Sequence, residues 1–461
     1  MAIRVIEKNK YHQHLSTNKE KKQTYGEIFT PFSLIKDMFD ILPSSAFSNP
    51  SVKWLDPGAG TGFFSIYLFW KLDEGLYSII PEKEKRHDHI IKNMIHMVEI
   101  QQENAIALTK MFGTEANIYN EDFILFNTGD TFDYIIGNPP YNANGIKKVP
   151  TNILDEKKED GKTIWVPFIK KAISLLKQNG NLLMIVPSIW MKPDRARTYH
   201  YLTSFKINKI RCFTNTETNK MFSFEAQTPT CYFWLQNRQS DYKQFISLYD
   251  RDQKSYINYP LVYEAPIPVF GAAVVAKLRP FVEAYGHIRT IKTNTPRMGS
   301  VFSDMQDSKH PYPNIRTAVL QGISPRLVVN YSNTPQAYYG ECKLVLPHKM
   351  YGFPYIDADG SYGISNRDNY VIVGHSLEDL ETLRQFFSTM TALYIFESTR
   401  YRMKYLERYA FEFIPDISRM PYMGSITDET IAIRFGLDDT DRTNIRNLHR
   451  KQYDFTYNKK I

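Results

Sequence analysis

The sequence has few of the residues that mark a disulfide-stabilised, metal-binding or membrane protein. Its 461 residues include three cysteines, Cys212, Cys231 and Cys342. They are far apart and odd in number, so they indicate neither a disulfide framework nor a zinc site. No apolar run reaches the roughly 18 residues that a membrane-spanning helix needs, and the first residues lack the apolar core of a secretory signal. We therefore expect a protein of a reducing compartment, the cytoplasm.

Clustered metal ligands are also missing from the sequence. His12 lies near His14, and His87 near His89, but neither pair has further ligands at metal-binding spacing. We expect these to be surface histidines, and we expect no bound metal. A fused nuclease would need a cluster of carboxylates with a lysine, and the sequence shows no convincing set.

The length and composition are typical of a folded protein with two domains. Single cores rarely grow beyond roughly 250–300 residues, and 43% of the residues are hydrophobic. The net charge of +8 favours a polyanionic partner, although many ordinary proteins are basic too. The 31 tyrosines and 29 phenylalanines can stack on bases, but most of them belong in a core.

The hydrophobic pattern divides the chain into three parts. Residues 1–23 are polar and predict a mobile arm. Over residues 24–238, apolar strand-like runs alternate with helical ones, which predicts a Rossmann-like α/β domain with a mostly parallel sheet. Residues 239–461 lose this alternation and predict a mixed α+β domain. The charged stretch 73–92 is an insertion of unknown role within the first domain.

A glycine turn, DPGAGTG over residues 56–62, follows the first apolar run. Gly58 and Gly60 stand where a backbone must approach a ligand closely. A phosphate-binding loop needs a lysine after the last glycine, but Phe63 follows here. An acid before the glycines suits the cationic methionine end of S-adenosyl-L-methionine better than it suits a pyrophosphate. The alternative is an ordinary tight turn of an α/β protein.

Two further acidic segments also end predicted strands. A carboxylate at Glu99 can accept both hydroxyl protons of a ribose, or it can be an acid at a helix N-terminus. Asp122 can accept a proton from an adenine amino group, and the ring of Phe123 can stack on the base. Because ligands bind at the carboxyl ends of parallel strands, we expect these segments to converge on one crevice.

The most specific motif is Asn138-Pro139-Pro140-Tyr141, at the end of the apolar run FDYIIG. An aromatic amine is a poor nucleophile, because its lone pair is delocalised into the ring. The Asn138 amide oxygen and the Pro139 carbonyl can each accept one of its N–H bonds, which frees the lone pair for attack on a methyl group. Consecutive prolines hold these acceptors rigidly. Tyr141 can stack on the base, worth roughly 1–3 kcal/mol.

Taken together, these segments resemble the gamma-type N6-adenine DNA methyltransferases of restriction–modification systems. In that family a Thr-Pro segment precedes the glycine motif, NPPY follows, and a DNA-reading domain comes last. Here TYGEIFTP, DPGAGTG, MVEIQ, EDF and NPPY occur in that order. The resemblance covers residues 24–235. It implies S-adenosyl-L-methionine as cofactor, double-stranded DNA as substrate, and a catalytic domain over 24–238 followed by a target-recognition domain over 239–461.

The resemblance also implies a role for each motif residue. The cofactor residues are Thr30, Asp56, Gly58, Gly60, Glu99, Asp122, Phe123 and Phe168. Thr30 and Asp56 would hold the methionine end, and Glu99 the ribose. The catalytic residues that bind the target adenine would be Asn138, Pro139 and Tyr141. Phe222 matches a second aromatic residue at that base, although Ser223 replaces the proline that commonly follows it.

An adenine in a duplex must be flipped out before its amine is reached, which costs a few kcal/mol that DNA contacts must supply. Arg400, Lys404 and Arg408 are candidates, because i, i+4 and i+8 share one face of a helix. The alternative is a solvated basic face over core tyrosines. Basic residues also occur in predicted loops over 292–297 and 316–326.

Other functions remain open at this point. NPPY also occurs in methyltransferases that act on RNA guanine or on protein glutamine, although the Thr-Pro segment and the basic second half argue against them. A non-catalytic DNA-binding specificity or scaffold subunit is a third hypothesis, which the intact motifs disfavour. If the enzyme belongs to a restriction–modification system, its partner endonuclease acts separately.

Overall fold

The computed structural model describes residues 29–143, 162–223, 226, 228–240, 244–292, 296–321, 324–348, 354–366, 368–401, 406–421 and 424–448. The predicted arm over 1–23 lies outside these ranges. The chain forms two compact units, one of Met1–Tyr249 with Pro260–Glu264, the other of Asp250–Tyr259 with Ala265–Ile461. In the part of the chain described here, no helix is long and apolar enough to cross a membrane.

The first unit is built on a mostly parallel sheet. Its strands are β1 Trp54–Asp56, β2 Ile95–Val98, β3 Asn117–Tyr119, β4 Phe132–Gly137, β5 Asn142–Ala143, β6 Lys162–Thr163, β7 Leu176–Pro187, β8 Phe205–Phe213, β9 Thr230–Gln239 and β10 Phe245–Asp250. Within the unit the large sheet has the order β3-β2-β1-β4-β7-β9-β8-β10, and β5 pairs with β6 separately. Only β9 of these eight strands runs antiparallel to its neighbours.

Helices connect these strands. They are α1 Phe32–Phe39, α2 Ser45–Ser48, α3 Phe63–Gly75, α4 Lys83–His89, α5 Gln102–Phe112, α6 Trp165–Ser174, α7 Thr198–Thr203 and α8 Asn215–Met221, with a π-helical turn at Ile90–Met94 and a 3₁₀ turn at Ser188–Met191. The chain order reverses between β1 and β4, which makes their carboxyl ends a topological switch point where ligands bind. The predicted Rossmann-like α/β fold is confirmed.

The charged insertion is folded onto α3 through two basic side chains. Arg86 donates to Asp73 at 2.7 Å and to two backbone carbonyls of the preceding loop. The His87 Nε2 lies 3.0 Å from the same carboxylate, and His87 is only 6% exposed. The expectation of a surface histidine at position 87 is therefore wrong, because the local charge pattern does not reveal a carboxylate 14 residues away.

The second unit mixes short sheets with helices. Its strands are β12 Phe302–Ser303, β13 Tyr312–Gln321, β14 Ser324–Ser332, β15 Lys343–Pro347, β16 Tyr355–Asp357, β17 Gly363–Ile364 and β18 Asn369–Val373, and the strand β11 Ser255–Pro260 ends at its boundary. Its helices are α9 Ala272–Tyr285, α10 Leu377–Phe387, α11 Met390–Ser398, α12 Asp428–Phe435 and α13 Asp439–Asn447, with 3₁₀ turns at Arg408–Phe413 and Ile417–Arg419.

Two sheets of this unit share a small apolar cluster. One has the order β12-β14-β13-β17 and the other β16-β15-β18. Ile315 and Ile364 from the first sheet pack with Val345 and Val371 from the second. Residues 316–321 and 324–326, predicted as a loop, belong to the antiparallel strands β13 and β14, in which Val319 pairs with Arg326.

Candidate active site

A cavity of about 380 Å³ lies at the carboxyl ends of β1, β2 and β4 in the first unit. Many of the predicted site residues line it: Thr30, Gly58, Gly60, Glu99, Asp122, Phe123, Asn138, Pro139, Tyr141 and Phe168. The convergence expected from a parallel sheet is therefore observed. Asp56 and Phe222 are not among the lining residues.

Two glycines of the turn have backbone conformations in which other residues would be strained. Gly60 and Gly62 have φ of +53° and +91°. A Cβ on Gly62 would lie 2.7 Å from Leu108 Cδ2 on α5. The Ala59 N–H donates to the Val98 carbonyl at 3.0 Å, which joins the turn to the end of β2. The glycines therefore allow the turn to pack closely against α5 while its backbone faces the cavity.

The carboxylate of Glu99 connects the glycine turn to helix α5. Its Oε2 accepts from the Gly60 N–H and its Oε1 from the Gln101 N–H, each at 2.7 Å. Gln101 is the N-cap of α5, so Glu99 accepts a hydrogen bond at the start of this helix. The alternative reading of Glu99, as an acid at a helix N-terminus, therefore holds as well. Glu99 is 5% exposed and also lines the cavity. Since each carboxylate oxygen accepts more than one hydrogen bond, it can still receive hydroxyl protons of a ligand.

The segment after β3 forms an apolar wall with a polar rim. The ring centroids of Phe123 and Phe168 lie 4.5 Å apart at an angle of 45°. The Asp122 Oδ1 accepts from the Ile124 N–H at 2.9 Å, which holds the side chain at the start of a turn. Phe168 also lies 3.5 Å from where a Cβ on Gly58 would be. This arrangement offers stacking surface for a planar group with a hydrogen-bond acceptor beside it.

Asp56 lies at the end of β1 and is 1% exposed. Its Oδ2 accepts from the Ser65 hydroxyl at 2.8 Å, and its Oδ1 has no hydrogen-bond partner among the described residues. Burial raises the pKa of this carboxyl to about 7, although hydrogen bonds from Ser65 and Gly58 oppose the shift. Asp56 thus supports the glycine turn, and its predicted contact with the cofactor stays a prediction.

The Asn138 side chain is held by a hydrogen bond from its amide nitrogen. Its Nδ2 donates to the Thr30 Oγ1 at 3.1 Å. Its Oδ1 is buried and has no partner in the described part of the chain. Helix α1 has Pro31 as its N-cap without a side-chain bond, so the Thr30 hydroxyl does not cap this helix. Sequence reasoning missed this bond because it spans 108 positions.

Tyr141 and Phe222, the two aromatic residues predicted at the target base, differ in their placement. Tyr141 lines the cavity, and its buried hydroxyl finds no partner among the described residues; burial raises its pKa. Phe222 is 3% exposed at the end of α8. The following Ser223 has φ of +50°, which a proline ring forbids, so this turn differs from the family pattern.

Apolar residues that the sequence did not single out complete the cavity. Phe29, Phe63 and Ile164 line it, and Phe63 lies 5.8 Å from Phe29 between ring centroids. At the level of sequence, Phe63 counted only as evidence against a phosphate-binding loop. Its position directly after the glycines could have indicated an apolar wall.

The predicted basic helix face over 400–408 is wrong. Helix α11 ends at Ser398, because the Ser398 and Thr399 hydroxyls turn back to carbonyls of the last helical turn. Arg400 follows the helix and pairs with Glu397 at 2.8 Å. Arg408 begins a separate 3₁₀ turn, and Lys404 lies outside the described residues. Among the described residues, no shared face joins the two arginines.

Residues 63–222 match the sequence profile of the Eco57I restriction-modification methylase family. The prediction of a relationship to restriction–modification adenine methyltransferases is confirmed by this match and by the relatives below. S-adenosyl-L-methionine is the cofactor that such a methylase uses, as predicted.

Curated relatives match parts of the chain. The Type II methyltransferase M.TthHB8I of Thermus thermophilus is 37% identical over 84 residues, 16% of this chain and 20% of that protein. The modification methylase CviBIII of Paramecium bursaria Chlorella virus NC1A is 31% identical over 181 residues, 37% of this chain and 40% of that protein. The chain thus spans a fifth to two fifths of the length of these relatives.

Among solved structures, the chain matches the Type IIL restriction-modification enzyme MmeI in complex with DNA. It has a TM-score of 0.48 and 10% identity, with 90% of this chain and 71% of that chain covered.

Proposed function

We propose that the chain is a site-specific DNA methyltransferase that transfers a methyl group from S-adenosyl-L-methionine to N6 of a flipped-out adenine in double-stranded DNA. The observation that carries the proposal is the Asn138 Oδ1, which is buried without a partner among the described residues. A buried, unsatisfied acceptor is costly unless a ligand satisfies it. Asn138 lines the same cavity as the glycine turn and Glu99.

The cavity fits a nucleoside-like cofactor. Its volume of about 380 Å³ lies within the roughly 300–1,000 Å³ of small-molecule sites. The rings of Phe123 and Phe168, whose centroids lie 4.5 Å apart, offer an apolar wall on which a purine can pack. Glu99, fixed by two backbone N–H groups, can accept ribose hydroxyl protons. When bound, the cofactor supplies a methyl group on a sulfonium centre and departs as a neutral thioether.

The chain's own residues prepare the acceptor amine. The Asn138 Oδ1 and the Pro139 carbonyl accept its two N–H bonds and draw its nitrogen towards tetrahedral geometry. The cofactor would supply the methyl group, its methyl–sulfur bond breaking as the N–C bond forms, and the surplus proton on nitrogen would leave to water, so no strong base is required. Both acceptors are preorganised, because proline fixes its own φ and Thr30 holds the Asn138 amide.

DNA is favoured as the acceptor by basic groups of the second unit. Arg297 and Arg326 are exposed, and in the part of the chain described here neither side chain has an acidic partner. Arg326 lies on β14, in a hairpin of the kind that fits the major groove. These groups complement phosphates in a chain of net charge +8.

The test is Asn138→Ala, assayed with unmethylated bacterial DNA and labelled cofactor. Methyl transfer should fall by about a thousandfold or more, as expected when a transition-state hydrogen-bond acceptor is lost, while calorimetry should show cofactor affinity within a few-fold of wild type. Asn127→Ala, at an exposed position outside the cavity lining, is the matched control and should be active. Full activity of the Asn138 variant would refute the mechanism. Transfer by the wild type to RNA or to protein glutamine, but not to DNA, would refute the substrate.

A further inference from the structure

We infer that Thr30 is a positioning residue that couples the bound cofactor to the orientation of the catalytic amide of Asn138. The inference rests on the proposed function and deepens it. The two side chains come from the segment before α1 and the loop after β4, and they meet inside the cavity wall. Thr30 is 4% exposed, so the contact is shielded from bulk water.

A side-chain amide must choose between two orientations. Half a turn about its last bond exchanges the donor and the acceptor, and only one orientation presents an oxygen to an amine. The Thr30 Oγ1 accepts from the Asn138 Nδ2 at 3.1 Å. This bond directs the Oδ1 to the opposite side, where it is buried without a described partner. In the reversed orientation, the amide NH₂ would face the N–H groups of the target amine, which is repulsive.

The Thr30 hydroxyl can also donate a hydrogen bond. It uses a lone pair for Asn138, and no acceptor for its own proton is found among the described residues. The resemblance assigns Thr30 to the methionine end of the cofactor, whose carboxylate is such an acceptor. A hydroxyl that donates to an anion becomes a better acceptor, because linked hydrogen bonds polarise one another. Cofactor binding therefore strengthens the bond that holds the amide in its productive orientation.

The first experiment compares Thr30→Val, which keeps the shape and removes the hydroxyl, with Thr30→Ser, which keeps the hydroxyl. With saturating cofactor and DNA, kcat of the valine variant should fall at least about tenfold, the equivalent of one hydrogen bond. The serine variant should recover most of that loss. Thr203→Val removes another buried threonine hydroxyl, which donates to the Tyr199 carbonyl outside the cavity lining, and should leave kcat unchanged.

The second experiment is a double-mutant cycle with a binding readout. A duplex carries 2-aminopurine at the target position of the methylated motif, and its fluorescence reports base flipping in the presence of S-adenosyl-L-homocysteine. Thr30→Val and Asn138→Ala should each weaken the flipped complex. The double variant should be no weaker than Asn138→Ala alone, because both changes remove the same interaction.

The outcomes separate the inference from the proposed function. Additive losses in the cycle, or a Thr30→Val variant that changes only cofactor affinity and keeps kcat, would overturn the inference while the wild type still methylates adenine. A wild type that binds cofactor but methylates no adenine overturns the proposed function and the inference with it.

Discussion

Two residues that line the candidate site, Asn138 and Tyr141, carry buried polar atoms that find no partner among the described residues. These atoms are the Asn138 Oδ1 and the Tyr141 hydroxyl, and similar atoms occur in this unit away from the cavity, at Trp54, His96 and Asn219. An unmade hydrogen bond in a protein interior costs about 1–3 kcal/mol. Asn138 and Tyr141 differ from those three residues in lining the cavity.

Tyr141 is expected to act through its ring and not through its hydroxyl. Because the hydroxyl is buried without a described partner, Tyr141→Phe should keep methyl transfer within a few-fold and raise the melting temperature slightly. Tyr141→Ala should remove stacking worth roughly 1–3 kcal/mol, which is about ten- to a hundredfold in binding of the flipped base. Steady-state kinetics and 2-aminopurine fluorescence measure these effects. A phenylalanine variant as inactive as the alanine variant would contradict this role.

Asp56 makes the stability of the protein depend on pH. Its pKa, raised by burial from 3.8 to about 7, means that the folded state binds a proton more tightly than the unfolded state between those values. The free energy of unfolding should therefore fall as pH rises from about 4 to 7, by about 4 kcal/mol at about 1.36 kcal/mol per pH unit, and level off above pH 7.

Asp56→Asn should remove this contribution. Urea unfolding of both proteins from pH 4 to 8 measures it, as the difference between the two curves. Parallel curves for the wild type and the variant would show that Asp56 is ionised in the folded protein throughout this range.

The glycine turn and α5 depend on each other. Gly62 has φ of +91°, and a Cβ at this position would lie only 2.7 Å from Leu108 Cδ2. Gly62→Ala should therefore destabilise the protein by about 2–4 kcal/mol, from backbone strain and overpacking together. Gly129, also at positive φ (+70°) but with open space around it, is the control, and its alanine variant should lose about 1 kcal/mol. Chemical denaturation measures the free energy of unfolding of both variants. Equal losses of stability would mean that packing of the turn on α5 does not contribute.

Arg326 on β14 and Arg400 after α11 are expected to contribute differently to DNA binding. Arg326→Ala should weaken binding uniformly across sequences and reduce the slope of log affinity against log salt by about 1, as for a lost phosphate contact. Arg400 is paired with Glu397 at 2.8 Å, so Arg400→Ala should leave that slope unchanged. Fluorescence anisotropy over a salt series measures both. A changed slope for Arg400 alone would restore the 400–408 segment as the DNA contact.

The error at α11 shows where local patterns fail. The spacing of basic and tyrosine residues over 400–408 is helical, but the chain turns at Ser398. Tyr401 is fully buried and donates its hydroxyl to the Ile267 carbonyl at 2.6 Å. A contact across 134 positions decides the conformation here, and no local pattern contains it.

At the scale of the whole molecule, the sequence predicts the structure of the first unit more fully than that of the second. Apolar strands that end in DPGAGTG, Glu99 and NPPY determine which loops meet, because parallel strands place their carboxyl ends at one edge. The second unit is held partly by buried polar groups. Lys343 is 0% exposed and pairs with Asp357, and Asn369 is 0% exposed and donates to the Ile315 and Arg316 carbonyls. Such residues disrupt the apolar periodicity from which strands are predicted.

The central claim is that this chain methylates adenine at one short DNA motif. Its most direct test is methylation-sensitive long-read sequencing of unmodified bacterial DNA after incubation with the protein and S-adenosyl-L-methionine. We predict N6-methyladenine confined to a single motif with the wild type and none with Asn138→Ala. No modified adenine in DNA, despite cofactor binding measured by calorimetry, would contradict the claim.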